Sequence, residues 1–133
     1  MSNSRINHDS SNKRPLSPHL QIYKPLINMV MSILHRMTGA ALYFGSLFLG
    51  VWLCAVASGP EAYGMVEGVL KSWPGLLVLF GYTWALMHHA LGGLRHFIWD
   101  FGFGYTLKVV DQLSWGTLLG SSALTALIWI MVL

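Results

Sequence analysis

Charge is what this sequence has least of. Of its 133 residues only eight are Lys or Arg and five Asp or Glu, 10% in all, where a soluble domain carries about 25%. So little charge beside 54% hydrophobic residues excludes a solvated disordered chain, a basic nucleic-acid-binding module and an ordinary water-soluble globule. Cysteine is nearly absent as well. The single Cys54 excludes an intrachain disulfide and a cysteine-held metal cluster, and its apolar neighbours predict a small buried side chain. An apolar leader is also missing. Met1 to Asn28 is polar and broken by Pro15, Pro18 and Pro25, so no cleaved signal peptide is expected. Asp9 and the lack of an Arg-rich amphipathic stretch argue against a mitochondrial presequence.

What the sequence does hold is long runs without charge. Met37 to Ala57 is 21 residues, Gly75 to Leu94 is 20, and Ser114 to Leu133 is 20. At 1.5 Å per residue each run covers about 30 Å, the thickness of a bilayer core. Lipid offers the backbone no hydrogen-bond partners and three strands cannot close a barrel, so the runs are helices. The expected fold is all-α and integral to the membrane, with a segment 1–28 and a three-helix domain 29–133 whose spans cover about 30–57, 75–98 and 114–133. Ser58-Gly59-Pro60 and Ser72-Trp73-Pro74 punctuate the first connection, and Gly102 and Gly104 mark the second. Seven basic residues (Arg5, Lys13, Arg14, Lys24, Arg36, Arg95 and Lys108) fall at one side and only Lys71 at the other. The positive-inside rule then puts the N-terminus and the second connection in the cytoplasm. Arg14 to Pro25 reads as a proline-stiffened strip, either a tether or a seat for a peripheral partner, with Leu16, Leu20, Ile22 and Tyr23 as its apolar members.

Polar groups inside such runs are costly and point to function. Ser32, His35, Arg36 and Gly39 follow i, i+3, i+4, i+7 and share a face of the first helix. Contact with lipid headgroups would explain the arginine alone, whereas an inward-facing polar site explains the whole stripe. On the second helix His89, Gly93, His96 and Asp100 form another stripe, beside His88, Gly92 and Arg95. His89 is either an interhelical hydrogen-bonding group or a metal ligand. Gly92 and Gly93 would leave a gap for a flat macrocycle, while His88, turned by about 100°, would bond a neighbouring helix or a carbonyl. A haem ligated at His89 would present its propionates to His35, Arg36 and His96. One chain supplies only one axial ligand, so a partner membrane subunit is expected. The third helix carries Gly116 and Gly120 for close packing and no chemistry of its own. Trp73, Trp99 and Trp115 fall where an aromatic belt belongs.

Three segments taken together resemble the cytochrome b membrane-anchor subunits of succinate dehydrogenase, respiratory complex II. They are Arg14-Pro15-Leu16-Ser17-Pro18-His19 with Ile22-Tyr23, Ser32-Ile33-Leu34-His35-Arg36 with Gly39, and His89 through Gly93-Leu94-Arg95-His96 to Asp100-Phe101-Gly102. The resemblance covers nearly the whole chain. It implies a second three-helix anchor subunit packed around haem b, with an iron–sulfur subunit and a flavoprotein subunit held on the cytoplasmic face of a bacterial inner membrane. It selects His89, seven residues before His96, as the axial ligand. It assigns Ser32 and Arg36 to a ubiquinone site and His35 to a propionate. Succinate would be oxidised elsewhere in the complex, because this chain has no flavin fold, cluster cysteines or dicarboxylate-binding arginines. The rival readings are a quinol:fumarate reductase anchor, a haem-free mooring and, last, a small transporter subunit.

Overall fold

The computed structural model describes residues 22–132, so most of the proline strip from Arg14 to Pro25, with Leu16 and Leu20, lies outside the described residues. Four helices follow: α1 Ile27–Ser58, α2 Pro60–Leu70, α3 Trp73–Asp100 and α4 Leu107–Val132. No strand occurs among the described residues. The chain bends at Ile22 and is irregular up to Leu26, which is extended (φ −70°, ψ 152°) where α1 starts. Each long helix overruns its expected span. α4 begins seven residues before Ser114, because Leu107 to Leu113 continues the helical pattern across Lys108 and Asp111.

α1 and α4 are long and apolar enough to cross a membrane. α3 matches them in length at 28 residues, but His88, His89, Arg95 and His96 dilute its apolar content. The first connection, punctuated by Gly59, Pro60 and Pro74, also holds the short α2. Gly59, at φ 109°, makes the turn that ends α1. Pro60 then opens α2 at a position where a missing N–H costs nothing. The next corner is tighter. The backbone N–H of Gly75 donates to the Ser72 hydroxyl at 3.3 Å, capping α3. A side chain at Gly75 would collide with the carbonyls of Val69 and Leu70, so α3 leaves α2 only because residue 75 has none.

The helices run antiparallel. His35 near the start of α1 meets His89 and His96 near the end of α3, while Gly45 further along α1 backs onto Tyr82. Arg95 meets Ser114, His88 meets Ser121, and Phe80 meets Trp129 down the α3–α4 seam. α3 is therefore the central helix. Among the described residues the buried core inverts that of a soluble bundle: three apolar residues (Met31, Ala55, Ala85) against seven polar ones (Thr38, His88, Arg95, Ser114, Thr117, Ser121, Thr125). Large apolar side chains such as Phe44, Phe48 and Leu47 face outward, as lipid or a neighbouring chain permits. Cys54 also faces outward rather than being buried as expected, since only one flank of α1 meets α3. Of the glycine pair on α4, Gly120 packs on Leu91 while Gly116 lies open.

Candidate functional site

Three imidazoles meet where α1 and α3 come together. The His35 and His89 rings stack in parallel, centroids 4.0 Å apart with 3° between planes. His96 is tilted against the other side of the cluster, its centroid 5.2 Å from that of His35. Small residues make the approach possible. A Cβ at Gly39 would come within 2.9 Å of His89 Cε1, and one at Gly92 would strike the His35 ring. Gly92 is thus the seat of His35 and not part of a gap for a macrocycle. Gly93 lies open, with nothing within 4 Å of a Cβ built there.

His89 is held in one tautomer by a hydrogen bond. Its Nδ1 lies 3.1 Å from the backbone carbonyl oxygen of His35. A carbonyl only accepts, so Nδ1 carries the proton and donates, leaving Nε2 with a free lone pair. Thr38 Oγ1 is 3.4 Å from the same Nδ1, while its own hydroxyl contacts the carbonyls of Leu34 and His35 at 2.9 and 3.0 Å. Anchoring one ring nitrogen on a backbone carbonyl is the usual support of a metal-binding histidine.

His88 faces the other way. It is fully buried, its Nδ1 is 3.3 Å from Ser121 Oγ on α4, and its ring stacks on Trp84. This is the interhelical role expected of it. Arg95, grouped with the histidines in the sequence, departs from them in space. Only 3% exposed, it turns toward α4, donates from Nη1 to Ser114 Oγ at 3.1 Å and lies over the Trp99 ring at 5.1 Å. Trp99 is therefore packed between Arg95 and His96, whereas Trp73 and Trp115 remain outward-facing as a belt requires.

The stripe on α1 also divides. His35 and Gly39 face α3, while Ser32 and Arg36 are exposed one turn apart on the adjoining flank. At about 100° per residue the i, i+3, i+4, i+7 positions still fan over about 100° of the helix, with His35 and Gly39 toward one edge and Ser32 and Arg36 toward the other. Asp100 and His96 are exposed at the same end. α4 contributes more polar packing than its glycine pair alone suggests. Ser114, Thr117, Ser121 and Thr125 are all buried and lie on the side facing α3. Their spacing of i, i+3, i+7, i+11 is visible in the sequence and was the signal available.

Residues 10–128 match the family described as the succinate dehydrogenase/fumarate reductase transmembrane subunit. The chain belongs to that family. Its relatives include the succinate dehydrogenase cytochrome b556 subunits of Paracoccus denitrificans, 40% identical over 114 residues, and Rickettsia prowazekii (strain Madrid E), 40% identical over 128. These alignments cover 86% of this chain and 88% of the first relative, and 95% and 98% for the second. The mitochondrial cytochrome b560 subunit of Sus scrofa is 37% identical over 108 residues, 80% of this chain and 64% of that one. Within the family, then, the chain groups with the succinate dehydrogenase cytochrome b anchor subunits, and it is a membrane protein.

Proposed function

We propose that this chain binds haem b through His89 and forms part of a ubiquinone-reduction site with Ser32 and Arg36. The observation that carries the haem reading is the lock on the His89 tautomer, which aims an unprotonated Nε2 away from the supporting carbonyl. Two further features support it. Among the described residues no set of three or more His, Cys, Asp or Glu is placed to hold a bare metal ion. A metal held here must bring most of its own ligands, as a porphyrin does. Open space at Gly93, one turn from His89, suits a flat group laid along α3. When bound, haem b supplies a one-electron carrier. His35 and His96, next to His89 at the basic end of the bundle, suit propionates, and Arg36 adds fixed charge there.

Reduction of ubiquinone to ubiquinol takes two electrons and two protons. The Ser32 hydroxyl donates a hydrogen bond to a quinone carbonyl oxygen. The Arg36 guanidinium stabilises negative charge as it develops on that oxygen. Both side chains lie on an exposed flank of α1, so the quinone pocket is completed by another polypeptide. The haem would be held by His89 of this chain together with a residue of a second anchor subunit. The iron–sulfur and flavoprotein subunits deliver electrons from succinate on the basic face, the cytoplasmic side of a bacterial inner membrane. All three long helices, α3 included, cross the bilayer, with 1–28 on the cytoplasmic side.

Arg36→Leu in the assembled complex tests the quinone assignment. Succinate–quinone reductase activity should fall at least tenfold while succinate-driven reduction of a soluble dye stays near wild type. Equal loss of both would show that Arg36 supports assembly and not quinone chemistry.

A further inference from the structure

Arg95 is a buried cation that lacks an anion. Its residue is 3% exposed, its Nη1 is spent on the Ser114 hydroxyl, and its buried Nε has no partner. The one ion pair among the described residues, Lys71 with Glu67, lies in and just after α2. The Ser114 hydroxyl is itself committed, donating to the carbonyl of Val110 at 2.8 Å. A guanidinium withdrawn from water without a counter-charge is strongly unfavourable, so the assembled protein should provide one.

A cavity beside Arg95 has room for it. About 190 Å³ lies between α3 and α4, lined by Arg95, Gln112 and Thr117 together with Leu94, Ile98 and Gly116. The polar and apolar linings belong to different kinds of contact. Arg95 and the Gln112 amide offer hydrogen-bond donors, while the outward-facing Leu94 and Ile98 form an apolar wall. Arg95 stands five residues before Asp100, the end of α3, about 7.5 Å in helical rise. That is headgroup depth at the basic end of the bundle.

We infer that Arg95 and Gln112 bind the phosphate of an anionic membrane phospholipid in the groove between α3 and α4, with its acyl chain against Leu94 and Ile98. The planar guanidinium suits phosphate oxygens, and one negative charge completes the buried Arg95–Ser114 pair. This face of α3 is the one turned away from the His35–His89 stack, so the site is separate from the haem and quinone positions proposed above.

The test uses the complex with all its partner subunits. After exhaustive detergent washing, retained phospholipid is counted by native mass spectrometry. The delipidated complex is then titrated with short-chain phosphatidylglycerol, short-chain phosphatidylcholine or inorganic phosphate. Wild type should retain and rebind one phosphatidylglycerol more than Arg95→Gln, whose affinity should fall at least tenfold. Phosphatidylcholine, whose headgroup cation offsets the phosphate, should bind more weakly. If Arg95→Gln fails to assemble, Gly116→Leu fills the groove from an open position and leaves Arg95 in place. That variant should lose the same lipid. Equal lipid content in wild type and variants would overturn the inference. Inorganic phosphate binding as tightly as the lipid would overturn the lipid source, and no rebinding of any phosphate would overturn the site.

Discussion

His88 and His89 are consecutive on α3, yet one faces α4 and the other α1. The α4 side treats its polar groups as structure. Ser121 meets His88, Ser114 meets Arg95, and Trp84 and Trp129 reach hydroxyls across the same seam. The α1 side treats its histidine differently. A backbone carbonyl accepts a hydrogen bond from the His89 Nδ1–H, which leaves the distal nitrogen available, and Gly93 beside it stays open. Two imidazoles with the same chemistry thus acquire different hydrogen-bond partners from the helix each one faces.

Glycine substitutions should separate the two functions of the α1 side most sharply. Gly92→Leu drives a side chain into His35 and should destabilise the bundle by about 1–3 kcal/mol, the usual range for overpacking. Both assembly yield and haem content should drop. Gly93→Leu meets nothing in this chain, so assembly should survive while haem content falls by more than half. A pyridine haemochrome assay normalised to purified complex distinguishes them, and intact haem in Gly93→Leu would remove the steric argument.

On the α4 side a smaller effect is expected. Ser121→Ala removes the His88 partner, and interhelical hydrogen bonds in membranes average about 0.6 kcal/mol. The thermal midpoint of the complex should fall by a few degrees at most with the haem spectrum unchanged. A changed spectrum would place His88 in the haem site.

The smallest effect lies outside the spans, at Glu67 and Lys71, whose charged groups are 2.8 Å apart. Their hydrogen bond lowers the Glu67 pKa and raises that of Lys71. The Glu67 contribution is present above its ordinary pKa of 4.5 and disappears as pH falls through the lowered value. The Lys71 contribution is present below its ordinary 10.5 and disappears as pH rises through the raised value. The pair is exposed, so Glu67→Gln should leave neutral-pH stability within error and flatten only the acid limb of a stability–pH profile.

The sequence already displayed the long helices and the basic end, because apolar length and charge placement are local properties. It displayed the His88–His89 division too, since one step along a helix always turns by about 100°. The role of Gly92 was hidden, because it depends on the register of α1, which alone brings His35 against it. Arg95 groups with the histidines in the sequence, and its turn toward Ser114 becomes visible only once α4 is packed. The serines and threonines of α4 escaped notice because such residues satisfy themselves on carbonyls of the preceding turn, as Thr117 does on Leu113 and Thr125 on Ser121. α2 was obscured by Gly64 and Gly68, which weaken its helical signal.

The most direct measurement is the reduced-minus-oxidised optical spectrum of the assembled complex carrying His89→Ala or His88→Ala. The account predicts that the haem b bands vanish or shift strongly in His89→Ala and persist in His88→Ala. Bands that survive His89→Ala unchanged, or that disappear only in His88→Ala, would contradict it.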